Sequence, residues 1–135
     1  MSAIETITIG PGQRIVLLPS ITQLGADHKN AVIVTGSHGG LSVVQYAIRV
    51  PVRMIFFNDA GVGKDQAGIS ALAALAELAI AAAAYSHDSA RIGDPMDGWT
   101  NGIISHVNGI ALKAGIAALQ SVHAATHALY QSDHL

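Results

Sequence analysis

The sequence predicts an α/β fold, specifically a small doubly wound three-layer sandwich with a mostly parallel sheet of four to five strands. The first supporting observation is that short apolar runs rich in β-branched residues alternate with longer segments whose apolar residues recur at helical spacing. Strand–helix–strand alternation of this kind gives parallel strands joined by right-handed crossovers. The second is that no linker or internal repeat interrupts the chain, so residues 1-135 are expected to form a single α/β domain.

Two β-strands are expected at the start of the chain. Ile4–Ile9 and Arg14–Leu18 are β-type runs separated by the Gly-Pro-Gly at 10–12, which suits a hairpin or a strand with a leading edge piece. Ser20 is a candidate N-cap for a short helix through Leu24, which the next glycine would end.

The central part alternates strands with helices. Its last segment, Ala81–Tyr85, is ambiguous because alanine is a poor strand former. If it continued the preceding helix, that helix would be about 30 Å long, against about 18 Å for a strand of five or six residues, and would overrun the sheet. A strand is therefore predicted there. In chain order the segments are strand Ala31–Thr35, helix Leu41–Arg49, strand Val52–Phe57, helix Gln66–Ala79 and strand Ala81–Tyr85.

The last third of the chain is predicted to contain one long loop and two helices. Ser86–Asn101 is rich in glycine, proline and other breakers and has no clear period. Ile103–Ala114 and Ile116–Tyr130 each carry apolar residues along one helical face.

Composition excludes several functional classes. With no cysteine, a disulfide scaffold, a zinc–thiolate site, an iron–sulfur cluster and a cysteine nucleophile are all ruled out. The net charge of −2 gives no basic face for nucleic acid. The longest apolar stretch, Ile69–Tyr85, is mostly alanine and is interrupted by Glu77, so no membrane span is expected. Because the N-terminus also lacks the features of a signal peptide, a cytoplasmic protein is expected.

Polar residues collect in three loops that follow three successive predicted strands, at 36–40, 58–65 and 86–101. Because the carboxyl ends of parallel strands share one edge of the sheet, these loops are expected to converge where open α/β sheets bind ligands. Five of the nine acidic residues lie in the second and third loops. Loops attract charge simply because they are exposed, but the length of the third loop favours a functional edge.

The first loop carries the candidate general acid/base, His38, because imidazole transfers protons near neutral pH. Ser37 would orient the substrate or, less readily, attack it, since Thr35 stands where a nucleophile elbow requires glycine. Gly39 and Gly40 open a helix, and their backbone N–H groups could hold an anion. A tight strand-to-helix turn would need the same two glycines.

The second loop carries the other candidate proton-transfer group, Asp59. Burial would raise its pKa, whereas Lys64 or Arg91 nearby would lower it. Gly61-Val62-Gly63-Lys64 does not complete a P-loop, so nucleotide binding is not expected. Asp65 is interpreted as an N-cap of the following helix.

The third loop supplies Arg91, whose guanidinium suits a carboxylate or phosphate but could instead be paired with Asp94. The predicted catalytic residues are His38, Asp59 and Ser37. The predicted substrate-binding residues are Gly39, Gly40, Asn58, Lys64, Ser89, Arg91 and Asp94.

No cofactor is predicted, although His38, Asp59 and His87 are residue types that could hold a divalent metal. His123 and His127 have ligand spacing, but the glutamate of a zincin is missing between them. They fall on a polar stripe opposite the apolar face of their helix, so a solvated stripe is predicted.

The strand and turn at Val32–Gly40 resemble the phosphorylatable histidine turn of the mannose-type phosphotransferase-system IIA domain. In that family a strand ends in Gly-Thr-His-Gly, and here the turn reads Gly36-Ser37-His38-Gly39. The resemblance covers about nine residues, on the scale of a short-motif match. It implies that His38 would carry phosphate.

Three functions follow from these patterns. The leading hypothesis is an enzyme of hydrolase or lyase type that acts by acid–base chemistry on a small anionic metabolite, a carboxylate or a phosphate. The alternatives are a histidine phosphocarrier and a ligand-binding module without turnover. The helix at Leu41–Arg49 and the alanine-rich helix at Gln66–Ala79 would expose apolar faces in a monomer, which predicts a homo-oligomer.

Overall fold

The computed structural model describes residues 3–133 and shows one six-stranded sheet with helices on both faces. Four short 3-10 helices, at Ile21–Gln23, Ala26–His28, Leu41–Val43 and Lys64–Gln66, lie in the connections. The strands are β1 Glu5–Gly10, β2 Gln13–Leu18, β3 Val32–His38, β4 Met54–Asn58, β5 Ala82–Tyr85 and β6 Ile104–Val107. The α-helices are α1 Val44–Ala47, α2 Ala71–Glu77, α3 Pro95–Asn101, α4 Gly109–Lys113 and α5 Val122–Ser132.

The strands lie side by side in the order of the chain. β2, β3, β4 and β5 are parallel, and β1 and β6 pair antiparallel at the two edges. The predicted α/β class with a mostly parallel sheet is therefore confirmed. The sheet has six strands where four to five were expected, because both edges carry an antiparallel strand.

The two faces of the sheet are covered by different parts of the chain. Residues of one set, such as Val16 and Phe57, pack with the connecting helices α1 and α2. The alternate set, such as Leu17 and Phe56, packs with Trp99 of α3 and with α5. This makes three layers, but the winding differs from the expected doubly wound order. A doubly wound sheet reverses its strand order once, whereas here the order never reverses and the C-terminal third covers the second face.

The first half of the chain follows the predicted elements closely. β1 and β2 form the hairpin, with Glu5 opposite Leu17. Ser20 caps the 3-10 helix that follows by accepting a hydrogen bond from the N–H of Thr22. The alanine-rich segment after α2 is the strand β5, and it is completely buried between the helical layers.

The C-terminal third departs from the prediction in two places. Ser86–Asn101 is not irregular throughout, because Asp94 caps α3 by accepting a hydrogen bond from the N–H of Asp97 and a proline occupies the first turn. Ile103–Ala114 is not one helix. Its first half forms β6, which pairs with β5, and Asn108 then caps α4.

The predicted starting points of two helices also differ from the structure. The last helix begins only at Val122, after an N-cap at Ser121. Asp65 does not cap the helix after the second loop, because it lies in a 3-10 helix with a φ of 56°. α2 begins after Ser70, whose side chain makes no capping hydrogen bond. Within residues 3–133, no helix combines the length and the apolar character that crossing a membrane requires.

Candidate functional site

The three polar loops meet at the carboxyl edge of the parallel strands. His38 at the end of β3 pairs in register with Asn58 of β4, and Asn58 pairs with Tyr85 of β5. Asn58 is fully buried. Its side-chain oxygen accepts from the N–H of Ala60 at 2.8 Å, and its amide donates to the carbonyl of Ala90 at 3.0 Å. Asn58 therefore ties the second loop to the third, and its side chain is used within the protein.

The second and third loops leave the sheet in opposite directions. Residues 59–68 lead to α2 on one face, whereas residues 86–94 lead to α3 on the other face. Neighbouring loops that diverge in this way leave a crevice at the carboxyl edge, the usual ligand position in open α/β sheets. The crevice therefore lies between β4 and β5, although the strand order does not reverse there.

A turn of unusual backbone conformation forms one wall of this crevice. Ala60, Gly61, Val62 and Gly63 all have positive φ, between 52° and 76°. For a β-branched residue such as Val62 this conformation is rare, and it costs on the order of 1–3 kcal/mol. Two short hydrogen bonds hold the turn, from the N–H of Val62 to the carbonyl of Asp59 and from the N–H of Gly68 to the carbonyl of Val62, both 2.7 Å.

Two glycines of this segment lie close to neighbouring groups. A side chain at Gly68 would run into the carbonyl oxygen of Asp59. A Cβ at Gly61 would lie 3.4 Å from Cε1 of His87, so the imidazole packs directly over the turn. Backbone strain in a turn that a ring covers is typical of functional sites.

The carboxylate of Asp59 lies beneath this wall and is only 4% exposed. Its Oδ1 accepts from the N–H groups of Gly61 at 2.8 Å and His87 at 3.0 Å, and its Oδ2 accepts from the hydroxyl of Ser105 at 2.8 Å. Burial acts to raise the pKa of Asp59, but these hydrogen bonds and the charge of His87 outweigh it and lower the pKa. Asp59 is thus a stable anion, and neither Lys64 nor Arg91 is a cause of the shift.

His87 stands over Asp59 and was not among the catalytic residues predicted. Its ring is exposed, with Nδ1 3.4 Å from Oδ1 of Asp59 and Nε2 3.3 Å from Oδ1 of Asp88. The available sequence signal was its position two residues beyond a buried strand, in the loop beside Asp59. Ser105, which completes the cluster, lies 46 residues from Asp59 in the chain and carried no such signal.

His38 is also exposed, and its hydrogen bond defines its tautomer. The N–H of Gly40 donates to Nδ1 of His38 at 3.0 Å, so a neutral His38 ring carries its proton on Nε2. The N–H of Gly39 donates to the carbonyl of Gly68 at 2.9 Å. Both amides that were expected to hold an anion are thus engaged within the protein. The glycines instead allow close packing, since a Cβ at Gly40 would lie 3.0 Å from the carbonyl oxygen of Ala67.

Three other predicted site residues serve to join loops. Ser37 accepts from the N–H of Ile21 at 3.0 Å. Ser89 donates to the carbonyl of Ser86 at 2.8 Å and accepts from the N–H of Ile103 at 2.9 Å. Asp94 caps α3, as described above. These side chains position the backbone around the crevice.

The two predicted cations lie in different places. Lys64 is exposed in the 3-10 helix beyond the strained turn and does not line either depression described below. Arg91 lines the crevice. Its backbone N–H donates to Oδ2 of Asp97 at 2.9 Å, so the loop is fastened through Asp97 rather than through a side-chain pair with Asp94. Hydrogen bonds from Asn101 and from this N–H, with the charge of Arg91, lower the pKa of Asp97.

Two shallow depressions meet at Ala60. The larger, about 370 Å³, is lined by Ala60, His87, Arg91 and Ile92. The smaller, about 280 Å³, is lined by His38, Ala60, Val62, Gly63, Ala67 and Gly68. One imidazole therefore lies on each side of Ala60, and the guanidinium accompanies His87.

The histidine pair on α5 differs from the solvated stripe that was predicted. Trp99 of α3 packs against His123 with 4.7 Å between ring centroids, and His123 packs against His127 at 4.5 Å. His123 is exposed and His127 is half-buried, so the stripe is partly used to join α3 to α5. Among residues 3–133, no three His, Asp or Glu side chains are grouped so that they could hold a metal ion.

Comparisons of this chain with protein-family models, with curated proteins and with solved structures found no match. The resemblance of Val32–Gly40 to the phosphotransferase IIA turn stays a prediction on those nine residues. Function is therefore argued from the geometry of the carboxyl edge.

Proposed function

We propose that this chain is an enzyme that performs acid–base chemistry on a small carboxylate or phosphate metabolite at the carboxyl edge of the sheet. A reaction of hydrolase or lyase type fits the groups present. One observation carries the proposal: a buried, ionised Asp59 lies under the exposed imidazole of His87, in a depression that Arg91 also lines.

His87 is the proposed base. A carboxylate beside Nδ1 favours the proton on that nitrogen, which leaves the Nε2 lone pair to accept a proton from substrate or water. The same carboxylate stabilises the imidazolium that then forms. Asp88 lies near Nε2 but is 87% exposed, so solvent screens that pair and an incoming ligand can displace it.

Arg91 is the proposed anion-binding residue, and His38 is the proposed hydrogen-bond donor to the reacting oxygen. The guanidinium of Arg91 presents a planar set of donors that suits a carboxylate or phosphate. On the other side of Ala60, His38 presents the Nε2–H that its bond from Gly40 imposes, a donor for an oxygen that gains negative charge. A base and a donor in two depressions that share Ala60 are the two groups that general acid–base catalysis needs.

The phosphocarrier alternative is less well supported by the same geometry. To accept a phosphoryl group, a nitrogen of His38 must offer a free lone pair. Nδ1 accepts from the N–H of Gly40, and Nε2 of the neutral ring is protonated. The bond from Gly40 would have to break before either nitrogen could act as a nucleophile.

The proposal is tested by following the turnover of a panel of small phosphate esters and hydroxy acids by NMR. His87→Gln is expected to lower kcat by roughly 10²–10⁴-fold, the usual value of one proton-transfer group. Arg91→Gln should raise KM by about tenfold or more, the equivalent of 1.4 kcal/mol. Lys113→Gln, which removes an exposed cation on α4, is the matched control and should change neither constant.

Three results would overturn the proposal. Turnover that survives in His87→Gln would show that His87 is not the base. Anion binding that depends on Arg91 without turnover of any compound would indicate a binding module. Stable phosphorylation of His38 by a phosphohistidine donor would indicate the phosphocarrier.

The proposed partners beyond the substrate follow from exposed apolar side chains. Leu41, Ile48 and Leu78 are each about half exposed or more on the face that carries α1 and α2. We expect this face to form the predicted homo-oligomer, and a 13.9 kDa species in sedimentation at micromolar concentration would contradict it. The cytoplasmic location stays a prediction.

A further inference from the structure

A chain of hydrogen bonds extends from Asp59 away from the crevice and into β6. The hydroxyl of Ser105 donates to Oδ2 of Asp59 at 2.8 Å and also lies 3.3 Å from the carbonyl oxygen of Ala84. Nδ1 of His106 lies 2.9 Å from the same hydroxyl oxygen. His106 is thereby linked to a buried carboxylate through one serine.

This chain determines the tautomer of His106. The ionised carboxylate of Asp59 and the carbonyl of Ala84 are acceptors only, so the single hydroxyl proton of Ser105 goes to one of them. The remaining bond of Ser105, to Nδ1 of His106, must therefore be donated by the histidine. A neutral His106 then carries its proton on Nδ1 and has its lone pair on Nε2.

His106 lines a groove of about 390 Å³ between α2 and β6, separate from the crevice. Its other walls are mainly apolar, from residues such as Ile69, Leu72 and Val107, and its described lining contains no Lys, Arg, Asp or Glu. The volume falls within the roughly 300–1,000 Å³ of small-molecule sites. An uncharged lining of this kind favours a neutral ligand.

Two polar side chains of the lining, Asn108 and Ser70, already have hydrogen-bond partners within the protein. Asn108 donates to the carbonyls of Leu72 and Ile80 and accepts from the N–H groups of Ala82 and Ala111. The hydroxyl of Ser70 donates to the carbonyl of Ala67. Asn108 thereby links α2, β5 and α4 beside the groove. His106 also lines the groove, and its Nε2 lone pair is an acceptor of defined tautomer.

We propose that this groove is a second small-molecule site, in which Nε2 of His106 accepts a hydrogen bond from a neutral ligand with an apolar body and one hydroxyl group. Phenols and compact alcohols have this chemistry. The two sites share Asp59 through Ser105 but no lining residue, and the tautomer of His106 does not require turnover in the crevice.

Nitrogen-15 NMR of the full chain in mildly alkaline buffer tests the tautomer directly. His106 is expected to show a protonated Nδ1 and an unprotonated Nε2. Ser105→Ala removes the acceptor at Nδ1 and should abolish that preference, whereas His123→Gln on α5 should leave it unchanged. An Nε2–H tautomer in the unaltered chain would overturn the inference.

Titration with phenol and with toluene, which lacks the hydroxyl, tests the site. Phenol should shift the Nε2 resonance of His106 and bind about tenfold more tightly than toluene, and His106→Phe should remove that difference. Ala73→Leu fills the groove from α2 and should abolish phenol binding while the tautomer persists. Equal binding of the two probes, or phenol shifts at His38 or His87 instead of His106, would show that the proposed site is wrong.

Discussion

The amino and carboxyl edges of the parallel strands use polar residues in different ways. At the amino edge, polar side chains form hydrogen bonds with backbone groups of other segments. The guanidinium of Arg14 donates to the carbonyls of Asp27 at 2.7 Å and Lys29 at 2.6 Å. The hydroxyl of Tyr130 donates to the carbonyl of Arg14 at 2.7 Å and accepts from the N–H of Val32 at 3.1 Å.

The carboxyl edge has two layers instead. Asn58 and Asp59 are buried, and their side chains are hydrogen-bonded within the protein. The side chains of His38, His87 and Arg91 are exposed at this edge. A buried polar layer that positions an exposed one is the arrangement of a preorganised site. The comparison teaches that polar side chains at the amino edge are used within the fold, whereas the carboxyl edge also leaves polar side chains exposed, as the proposed function requires.

The largest effect is expected from removing the carboxylate that supports the exposed layer. Asp59→Ala leaves two backbone N–H groups without their acceptor and leaves the hydroxyl of Ser105 only the longer contact to the carbonyl of Ala84, at a cost of about 3 kcal/mol in the free energy of unfolding. Urea denaturation measures it. Asp88→Ala removes the other acid beside His87 but is 87% exposed, so it should change stability by less than about 0.5 kcal/mol. Equal losses would mean that burial of Asp59 has no special role.

The second prediction concerns how this contribution depends on pH. The lowered pKa of Asp59 means that the folded protein binds the carboxylate proton less readily than the unfolded chain. Its stabilising effect is therefore complete above the ordinary aspartate pKa of about 3.9 and is lost as the pH falls through the folded value. The stability difference between the unaltered chain and Asp59→Asn should shrink as the pH falls below about 4. A difference that grows on acidification would indicate a raised pKa instead.

Much of the carboxyl edge could be predicted because it follows from local patterns. Alternating apolar runs identified the parallel strands, and parallel strands bring their following loops together. The role of each side chain could not be predicted in the same way. Asp59 was expected to move protons, but its donors include Ser105, a partner 46 residues away that only the fold brings close.

The C-terminal third shows where local patterns fail. The apolar residues of Ile103–Ala114 suit a helix face, yet the N–H of Ser86 bonds to the carbonyl of Ile103 and the N–H of Asn108 to the carbonyl of Ala82. These distant bonds to the β5 region make the first half a strand. α3, in contrast, had a local signature in Asp94-Pro95, an N-cap followed by proline.

A smaller effect is expected at the amino edge from Tyr130→Phe. The hydroxyl bridges β2 and β3, and its removal leaves the buried N–H of Val32 without a partner, at a cost of about 1–2 kcal/mol. Tyr46→Phe is the control, because Tyr46 is half-buried on α1 and packs under Arg49. Thermal unfolding should separate the two variants. If Tyr130→Phe also changed ligand binding in the crevice, the two edges would not be independent.

The smallest effect is expected from Arg53→Gln, also at the amino edge. Arg53, just before β4, forms two hydrogen bonds of 2.9 and 2.8 Å with Asp133, just after α5. The two side chains are 32% and 36% exposed, so solvent screens the pair and its loss should cost about 0.5–1 kcal/mol, less in high salt. Arg53→Lys keeps the charge but cannot form both bonds, so a similar loss in that variant would assign the effect to geometry. A loss of stability greater than that of Tyr130→Phe would mean that the amino edge is held by charge rather than by buried hydrogen bonds. The two edges would then differ only in how exposed their polar side chains are.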